Sequence, residues 1–541
     1  MGLKLRQLAG VLLVVVMVSS CTIGGSGRDE PSAPDPLPTA PDDTCRDGGD
    51  GGVEATGSVD GGMVSTPDPA ATEAACGVLA DGGTAADAVV AAQYVLGLTE
   101  PQYSGPGGGG LVVYHDAQSG TTESFDGTVY APQDDTSYDD ESVGVPQTDR
   151  LMDSLRARFG TKSLEDLTAP ARTLASEGFE VTERLAKAMS ARSELFDDLP
   201  EAGDTLTNEQ YAEYLAGLKG TDDPIEPSDP LCVDYQGHSV CGPDSTQTGM
   251  MVVAEALGIL DRLDLARLTP KDGVPRATAQ HLVMEAERIA FTNANTWMGE
   301  ETEATEDYLG DYVEDIVTDE DHLDDAADSI RQKKTLSGLD PEELGGMDGE
   351  YEDSDDQGTS QVTVRDSAGS MASLTTTLQR SFGSGKQENG YFLNNSLDNF
   401  SRRAEPGEPN HREPGARPRT MMSPVLVFGS GDDPLMALGS PGGRKIPSYV
   451  VKALVAMVDW DLSPDEAVRM PNFGATNRNS VYSARGDAEQ KKMRGLLEDW
   501  GHDLESGRFD SGLSVIRVQD PRVSGAADHR RDGSVAAVDL P

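Results

Sequence analysis

The ten residues 357–366 restrict the fold of this chain more than any other segment. They read Gln-Gly-Thr-Ser-Gln-Val-Thr-Val-Arg-Asp, follow an acidic tract dotted with glycine, and open a run that alternates as a β-strand does. Cleavage between Gly358 and Thr359 would release a threonine whose own α-amino group, with a pKa of about 8, is a base for its hydroxyl. Most Gly-Thr pairs simply begin a strand, so the motif needs support from the rest of the sequence.

The charge balance excludes one large class of function. The 541 residues contain 94 Asp and Glu against 43 Lys and Arg, a formal net charge of −51. Nucleic-acid binding depends on a basic face that contacts phosphates, so it is not expected here. A charge of this size favours solubility and is seen in salt-adapted proteins. We therefore assign the acidic surface to solvation rather than to a binding site.

The N-terminus has the pattern of an export signal. Lys4 and Arg6 precede an apolar run over 8–18 that is too short to span a bilayer. The run ends in Val-Ser-Ser-Cys at 18–21, the form of a bacterial lipoprotein signal. The sequence thus predicts a signal peptide over 1–20, a lipid on Cys21 and attachment to the outer face of the cell membrane. A plain signal peptide cut nearby is the alternative, and 21–58, rich in Gly, Ser, Pro and Asp, is predicted to be a flexible tether.

The other four cysteines fit an exported protein, because disulfides persist in an oxidising setting. Cys232 and Cys241 flank a hairpin-like segment and are expected to pair, with Cys45 and Cys76 as the second pair. The seven histidines are scattered, and no group of histidine and cysteine has the spacing of metal ligands. We therefore expect no metal site, no catalytic thiol and no cofactor.

Periodicity predicts helices and strands on both sides of the Gly-Thr bond. Helices are predicted over 70–80, 84–96, 246–262, 277–291 and 449–458. Strands are predicted over 111–114, 121–125, 361–366, 371–378 and 425–428. Residues 300–357 are dominated by Asp and Glu and are expected to be mobile, as a precursor loop must be.

Four consecutive glycines, Gly107 to Gly110, look at first like a phosphate-binding loop. The run lacks the Lys-Ser/Thr that completes a P-loop. Close packing of backbone against backbone is therefore the prediction for this run.

Three ordered blocks of the sequence resemble one family. The first block includes Gly-Gly-Met-Val-Ser at 61–65. The second begins at Thr359 and includes Thr-Thr-Thr-Leu at 375–378 and Leu-Asn-Asn at 393–395. The third includes Met-Ser-Pro at 422–424 and Gly-Ser-Pro-Gly-Gly at 439–443. In order and spacing these blocks resemble the γ-glutamyltransferases (γ-glutamyltranspeptidases), autoprocessing N-terminal-nucleophile hydrolases. The resemblance implies an α+β fold, a four-layer αββα sandwich. It also implies a heterodimer cut from one precursor, with 59–358 as the large subunit, including the acidic precursor loop, and 359–541 as the small subunit.

The resemblance implies catalytic roles for four residues. Thr359 matches the nucleophile that carries the acyl group, and Thr377 matches the threonine that steadies the nucleophile's amine and assists cleavage. Gly442 and Gly443 match the pair whose backbone N–H groups form the oxyanion hole. Donors of that kind contribute about 3–4 kcal/mol each in the transition state.

The positions that hold the substrate in this family are changed in this chain. Thr128 replaces the Arg for the glutamyl α-carboxylate, and Asn399 replaces the acid for its α-amino group. Both anchors have become neutral, so γ-glutamyl binding is expected to weaken by about a hundredfold or more, unless neighbours such as Arg402 or Arg403 compensate. The positions matched to substrate binding are Thr128, Gln379, Ser396, Asn399, Thr420 and Met421.

These matches leave three functions open. The first is an N-terminal-threonine enzyme that hydrolyses or transfers the γ-glutamyl group of glutathione and related amides through an acyl-threonine intermediate, with water or an amine as acceptor. The second is an acylase of the same fold for an acyl amide without a zwitterionic head. The third is a non-catalytic envelope protein that keeps the fold for binding. The intact nucleophile and glycine pair favour an enzyme.

Overall fold

The structure is a computed structural model that describes residues 45–47, 53–133, 142–300, 302, 310–337, 339, 357–431, 433–476, 481–505, 507 and 509–538. The predicted signal peptide, Cys21, most of the predicted tether and residues 340–356 of the acidic tract lie outside these residues. The described residues belong to a single unit, Pro38–Pro541.

The strands of the described residues are mostly antiparallel. In chain order they are β1 (Cys45–Asp47), β2 (Glu54–Ser58), β3 (Gly62–Thr66), β4 (Gly109–Asp116), β5 (Thr121–Gly127), β6 (Phe179–Glu180), β7 (Thr205–Leu206), β8 (Leu231–Tyr235), β9 (His238–Gly242), β10 (Gln357–Arg365), β11 (Met371–Arg380), β12 (Gln387–Glu388), β13 (Tyr391–Phe392), β14 (Val425–Phe428), β15 (Pro434–Gly439), β16 (Phe473–Ala475), β17 (Val481–Ser483), β18 (Leu504–Glu505), β19 (Ser514–Gln519), β20 (Arg522–Ala527) and β21 (Ser534–Val538). Two sheets of seven strands result. The first has the order β1-β21-β3-β10-β11-β4-β5, and the second has the order β2-β20-β19-β15-β14-β9-β8.

The described residues also form twelve α-helices. In chain order they are α1 (Pro69–Ala80), α2 (Ala85–Thr99), α3 (Thr148–Phe159), α4 (Leu164–Glu177), α5 (Glu183–Ala191), α6 (Glu209–Gly217), α7 (Met250–Asp261), α8 (Ala277–Trp297), α9 (Glu320–Ser329), α10 (Ile446–Val458), α11 (Pro464–Arg469) and α12 (Ala488–Asp499). Within the described part of the chain, no helix has both the length and the apolar composition needed to cross a bilayer.

Three separate apolar clusters identify the layers. One joins α1 and α2 to the first sheet, a second joins α7, α8 and α10 to the second sheet, and a third lies between the two sheets. The order of layers is therefore helix, sheet, sheet, helix, which is the αββα sandwich predicted from the sequence.

The two alanine-rich helices begin at side chains that cap them. The Asp68 carboxylate accepts the Ala71 N–H at 3.0 Å, and Pro69 follows in the first turn of α1. For α2, Thr84 accepts the Asp87 N–H at 3.2 Å while the Asp87 carboxylate accepts the Thr84 N–H at 3.1 Å. Both helices were predicted, and the structure confirms them with ends that differ from the prediction by at most three residues.

Strand β10 lies inside the first sheet, between β3 and β11. Its residue Thr363 pairs with Ser65 of β3, and Thr359 pairs with Thr377 of β11. Val362 and Val364 are fully buried, so the strand is covered as well as paired. The predicted strand after the Gly-Thr bond is confirmed, and it holds Thr359 at the start of a central strand.

The four-glycine run packs too closely against neighbouring backbone for any side chain. A Cβ at Gly107 would lie 2.1 Å from the Phe392 carbonyl oxygen, and one at Gly108 would lie 2.2 Å from that of Thr377. The prediction of close packing is confirmed, and the packing brings this run against the strand that carries Thr377.

The prediction of a mobile segment over 300–357 is wrong for residues 310–337. A short turn of π-helix, Val313–Val317, and helix α9 are formed there. Leu323, Ala326 and Ala327 are spaced three and four residues apart and are buried in the cluster that contains α7. The acidic composition concealed this narrow apolar face.

Both predicted disulfides are present in the structure. Cys45–Cys76 joins β1 to α1 across a Cα–Cα distance of 6.1 Å. Cys232–Cys241 joins two directly opposed residues of the β8–β9 hairpin across 4.0 Å. Each therefore ties a peripheral strand to its neighbour.

Candidate active site

Thr359 and Thr377 face each other across the first sheet. Their hydroxyl oxygens lie 3.1 Å apart, and the Thr359 side chain is only 4% exposed. The register of β10 against β11 shifts between Gly358 and Thr359, so the ladder is irregular at the bond predicted to be cut. The structure therefore brings together the two threonines that the sequence singled out.

The hydroxyl of Thr377 connects the Thr359 hydroxyl to the carbonyl group of Gly358. It donates a hydrogen bond to the Gly358 carbonyl oxygen, and it accepts the Gln379 backbone N–H at 2.9 Å. A hydroxyl has one proton to donate, so the Thr359 hydroxyl must be the donor in the contact between the two threonines. A continuous chain of donors thus runs from Thr359 through Thr377 to the Gly358 carbonyl.

Only glycine fits at position 358. A Cβ there would lie 2.5 Å from the Arg380 carbonyl oxygen. The Gly358 carbonyl lies beside the Thr377 hydroxyl, so glycine at position 358 is a requirement of the packing at this bond.

The glycine pair stands at the turn between β15 and α10. Gly442 has a φ of +142°, and a Cβ there would lie 2.5 Å from the Tyr449 ring. Gly443, with a φ of +55°, begins a short 3-10 turn, Gly443–Lys445, and contributes to the wall of a cleft. The backbone is bare of side chains there, as the predicted oxyanion hole requires.

The cleft beside Thr359 has a volume of about 420 Å³, including its open mouth. Four of the six residues matched to substrate binding line it, whereas Thr128 and Ser396 do not. Its lining residues are Thr359, Thr377, Gln379, Asn399, Arg419, Thr420, Met421, Met422, Gly443, Arg444 and Ile446.

Thr128 is engaged in a polar cluster away from the cleft. Its hydroxyl donates to Asp126 at 2.5 Å and accepts the Gln247 amide N–H at 3.2 Å. Asp126 also accepts from Ser245 at 2.8 Å. Ser396 has a structural position: it begins a short 3-10 turn, and its backbone N–H donates to the Asn394 side chain at 3.0 Å.

Asn399 and Gln379 form a pair of facing amides on the cleft wall. The Gln379 amide N–H donates to the Asn399 carbonyl oxygen, and the Asn399 amide N–H donates back to Gln379 at 2.8 Å. Asn399 also donates to the Arg419 backbone carbonyl at 3.0 Å. The place of the family's acid is thus filled by a neutral pair whose polar groups bond to each other.

Arg419 is one of the cleft residues that sequence reasoning missed, together with Met422, Arg444 and Ile446. The residue borders the cleft, but it is only 2% exposed, and its Nε donates to the Met298 carbonyl. Both terminal guanidinium nitrogens lack a hydrogen-bond partner among the described residues. Burial lowers the pKa of Arg419 to about 10, which still leaves it cationic at neutral pH. Arg402 and Arg403, considered as replacements, are exposed and do not line the cleft.

A buried carboxyl group lies behind the strand that carries Thr359. Glu100, at the end of α2, accepts the hydroxyl of Ser360 at 2.6 Å, and Arg531 donates to the Thr359 backbone carbonyl at 3.3 Å. Burial raises the pKa of Glu100 to about 8, although the Ser360 hydrogen bond opposes that shift. The strand that carries Thr359 is therefore supported by a carboxyl group that is mostly protonated at neutral pH.

A second cluster of polar residues gathers positions that are distant in sequence. The ligand atoms of His281, Glu285 and His502 all lie within 4.8 Å of one another. Each group already has a protein partner: His281 contacts His502 at 2.7 Å and donates to the Arg331 carbonyl, and Glu285 accepts from Arg288 at 2.7 Å. Burial, with His281 and Arg288 nearby, lowers the pKa of His502 to about 3. We assign this cluster to packing.

Comparisons with known proteins agree with this geometry. The family model described as Gamma-glutamyltranspeptidase matches residues 71–219 and 224–538. The glutathione hydrolase proenzyme of Bacillus subtilis (strain 168) is 28% identical, over 88% of this chain and 92% of that protein. The acylase ACY 1 proenzyme of Pseudomonas sp. (strain V22) is also 28% identical, over 94% of this chain and 98% of that protein.

The fold comparison gives the same architecture. The crystal structure of cephalosporin acylase from Bacillus halodurans superimposes with a TM-score of 0.76, over 90% of this chain and 97% of that one. The sequence identity of that pair is 21%, so the match describes the fold and not the substrate.

Proposed function

The chain belongs to the gamma-glutamyltranspeptidase family, and on that premise we propose that it is a self-cleaving enzyme that hydrolyses or transfers a γ-glutamyl or related acyl group through an ester on Thr359. The observation that carries the proposal is the donor chain from Thr359 through Thr377 to the Gly358 carbonyl, placed at the edge of the cleft. The mature form would be a heterodimer of the chains before and after that bond.

Self-cleavage follows from the donor chain. The Thr359 hydroxyl oxygen attacks the Gly358 carbonyl carbon and passes its proton to Thr377, whose own proton moves towards the carbonyl oxygen. When the C–N bond breaks, the Thr359 nitrogen takes up a proton and leaves as an amine, and Gly358 becomes an ester of Thr359. Water then hydrolyses the ester and leaves a carboxylate on Gly358 and a free α-amino group on Thr359.

Turnover uses the same hydroxyl with a new base. The freed α-amino group takes the proton of the Thr359 hydroxyl as it attacks an acyl amide in the cleft. The backbone N–H groups at Gly442 and Gly443 stabilise the oxyanion, and the amine of the substrate leaves with a proton. Water, or a second amine, then releases the acyl group from Thr359.

The named relatives support amide chemistry and leave the acyl group open. Two relatives of equal identity are a glutathione hydrolase proenzyme and an acylase proenzyme. Both names contain the word proenzyme, which supports a precursor that is cut. We therefore propose γ-glutamyl amides and related acyl amides as the substrate class.

The first experiment is intact-mass analysis of the purified protein with N-terminal sequencing. We expect two chains, the smaller of which begins at Thr359. Thr359→Ala should remain one chain, whereas Thr359→Ser, which keeps a hydroxyl nucleophile, should still be cut. A wild-type protein that stays intact through long incubation contradicts the proposal of self-cleavage.

We propose in addition that the mature protein is held at the outer face of the membrane by a lipid on Cys21. The support is the sequence of residues 1–21, which lies outside the described residues. Cys21→Ser should move the protein from the membrane fraction to the soluble fraction. An unchanged distribution would show that a plain signal peptide is cut instead.

A further inference from the structure

We propose that Arg531 is a positioning residue, which holds Thr359 by its backbone carbonyl once the bond to Gly358 has been cut. The proposal deepens the proposed function and rests on it, since it concerns the N-terminal threonine that self-cleavage would release. The contacts of Arg531 with Thr359, Tyr103 and Gly512 carry the argument.

Cleavage removes one of the two covalent neighbours of Thr359. Before the cut, its nitrogen is bonded to Gly358, which is itself closely packed, because a Cβ there would lie 2.5 Å from the Arg380 carbonyl oxygen. After the cut, the nitrogen is a terminal amine, and the residue is bonded to the chain through its carbonyl alone. The nucleophile and its base are then both on Thr359, and a displacement of about 1 Å can slow a reaction about 100-fold. A contact that fixes the carbonyl therefore matters more to the mature enzyme than to the precursor.

Arg531 supplies such a contact from the connection between β20 and β21. Its Nη1 donates to the Thr359 carbonyl oxygen at 3.3 Å, and the residue is only 5% exposed. Its side chain packs beside Gly512, where an added Cβ would lie 2.7 Å from the Arg531 Cδ. Its Cζ lies over the buried ring of Tyr103, 5.3 Å from the ring centroid. The guanidinium group is thus held from two sides while it donates to Thr359.

Arg184 of α5 offers a matched comparison, because it contacts the same ring and directs its hydrogen bonds elsewhere. Its Cζ lies 5.8 Å from the Tyr103 ring centroid, and its Nη1 donates to the Tyr103 hydroxyl at 3.0 Å. Its Nη2 donates to the Arg530 carbonyl at 2.8 Å. Replacing Arg184 would therefore disturb the packing around Tyr103 and leave the donor to Thr359 in place.

Two rates measured on Arg531→Met test the role. Self-cleavage, followed as the loss of intact chain, should slow by less than about threefold, because Gly358 still holds Thr359 in the precursor. The second rate is kcat of the fully cut protein with two p-nitroanilides, γ-glutamyl and glutaryl, which differ only in the α-amino group. It should fall about tenfold or more, with KM within about threefold, because Arg531 does not line the cleft. An unchanged kcat, or equal losses in the two rates, overturns the proposal.

Three further variants separate positioning from packing. Arg531→Lys, which keeps a charge and a donor, should recover part of the lost kcat, and recovery of none contradicts a role through the donor. Arg184→Met should keep kcat within about twofold, since it leaves the contact with Thr359 intact. A loss as large as that of Arg531→Met would assign the effect to the packing of Tyr103 and overturn the proposal. If Arg531→Met does not fold, the neutral and polar Arg531→Gln is measured for the same two rates and judged by the same outcomes.

The wild type separates this role from the proposed function. A wild type that is neither cut nor active contradicts the proposed function and this role together. A wild type that is cut and active, beside an Arg531→Met protein that keeps its kcat, contradicts the role of Arg531 alone.

Discussion

At the residue scale, Thr377 has a role in both halves of the proposed self-cleavage step. Its hydroxyl accepts from Thr359 and donates to the carbonyl that Thr359 would attack. One side chain thus takes up the nucleophile's proton and stabilises the charge that develops on the carbonyl oxygen. Valine has nearly the same shape as threonine but no hydroxyl, so a valine at position 377 would remove the proton transfer and the hydrogen bond while keeping the packing.

We predict that Thr377→Val slows self-cleavage about 100-fold or more, since it removes a donor to a developing oxyanion. Thr377→Ser keeps the hydroxyl and should be cut at a rate closer to that of the wild type. The measurement is the fraction of intact chain against time by denaturing electrophoresis. Equal rates for the Val and Ser variants would show that the hydroxyl takes no part.

Asn399→Asp should shift the enzyme towards γ-glutamyl substrates. A carboxylate at this position, next to Gln379, would supply the anion that an α-amino group needs. The ratio of kcat/KM for the γ-glutamyl anilide to that for the glutaryl anilide should rise about tenfold. Asn395→Asp is a nearby control, because Asn395 does not line the cleft; a rise of the same size in that variant would contradict a local effect.

The sequence pointed to Thr359 through the chemistry of the Gly-Thr motif, and to Thr377 and the glycine pair through the resemblance to the family. It did not reach Arg419, since nothing in a sequence shows that a particular arginine is buried and lacks acceptors. It also matched Thr128 to the substrate, whereas the side chain is held by Asp126 and Gln247. Motifs and family resemblance thus identify residues by their type and order, whereas burial and hydrogen-bond partners are known only from the folded chain.

At the element scale, α2 ends directly behind the strand that carries Thr359. Glu100 at that end accepts from Ser360, the neighbour of Thr359. Its pKa of about 8 in the folded protein compares with an ordinary value of 4.5. A carboxyl whose pKa is raised on folding contributes stability that is fully present below pH 4.5 and is lost as the pH rises through about 8.

Glu100→Gln should therefore be less sensitive to alkali than the wild type. Both proteins are compared in a Thr359→Ala background, which keeps a single covalent form. Between pH 5 and pH 8.5, the Tm of the protein that retains Glu100 should fall by about 4 °C or more beyond the fall seen in the Glu100→Gln variant. Glu194→Gln serves as the control, because Glu194 is an exposed acid paired with Arg192. Parallel pH curves with and without the Glu100→Gln change would contradict a protonated Glu100.

The elements themselves were predictable where local signals agreed. Helices α1 and α2 have caps, alanine-rich interiors and a glycine pair between them, and each of these features acts within a few residues. Helix α9 was not predicted, because its three buried apolar residues are outnumbered by acids. Its stability comes from packing against α7, a contact that only the folded chain provides.

At the scale of the whole molecule, segments before and after the Gly358–Thr359 bond alternate within each sheet. In the first sheet, β21 lies between β1 and β3, and the pair β10–β11 lies between β3 and β4. In the second sheet, four strands from the C-terminal part lie between β2 and β9. Neither part could keep its sheets without the other.

Cleaved protein should therefore refold poorly after full denaturation. Strands before the cut bond pair with strands after it, so neither segment can form its sheets alone. Cutting the bond also removes the high effective concentration of one segment around the other that the intact chain provides. We predict that the uncut Thr359→Ala chain recovers its circular dichroism on dilution from guanidinium to a greater extent than the cut wild type. Equal recovery at micromolar concentration would show that the two parts assemble without the bond.

Because strands from the two parts interleave, the Gly358–Thr359 bond assists folding only before it is cut. If the proposed cleavage takes place, the protein folds as one continuous chain and afterwards loses the covalent link that kept its two parts together during folding. The working enzyme is then protected by the height of its unfolding barrier more than by its equilibrium with the unfolded chains. The lifetime of each molecule would then depend on how slowly its two chains unfold, because separated chains are not expected to reassemble.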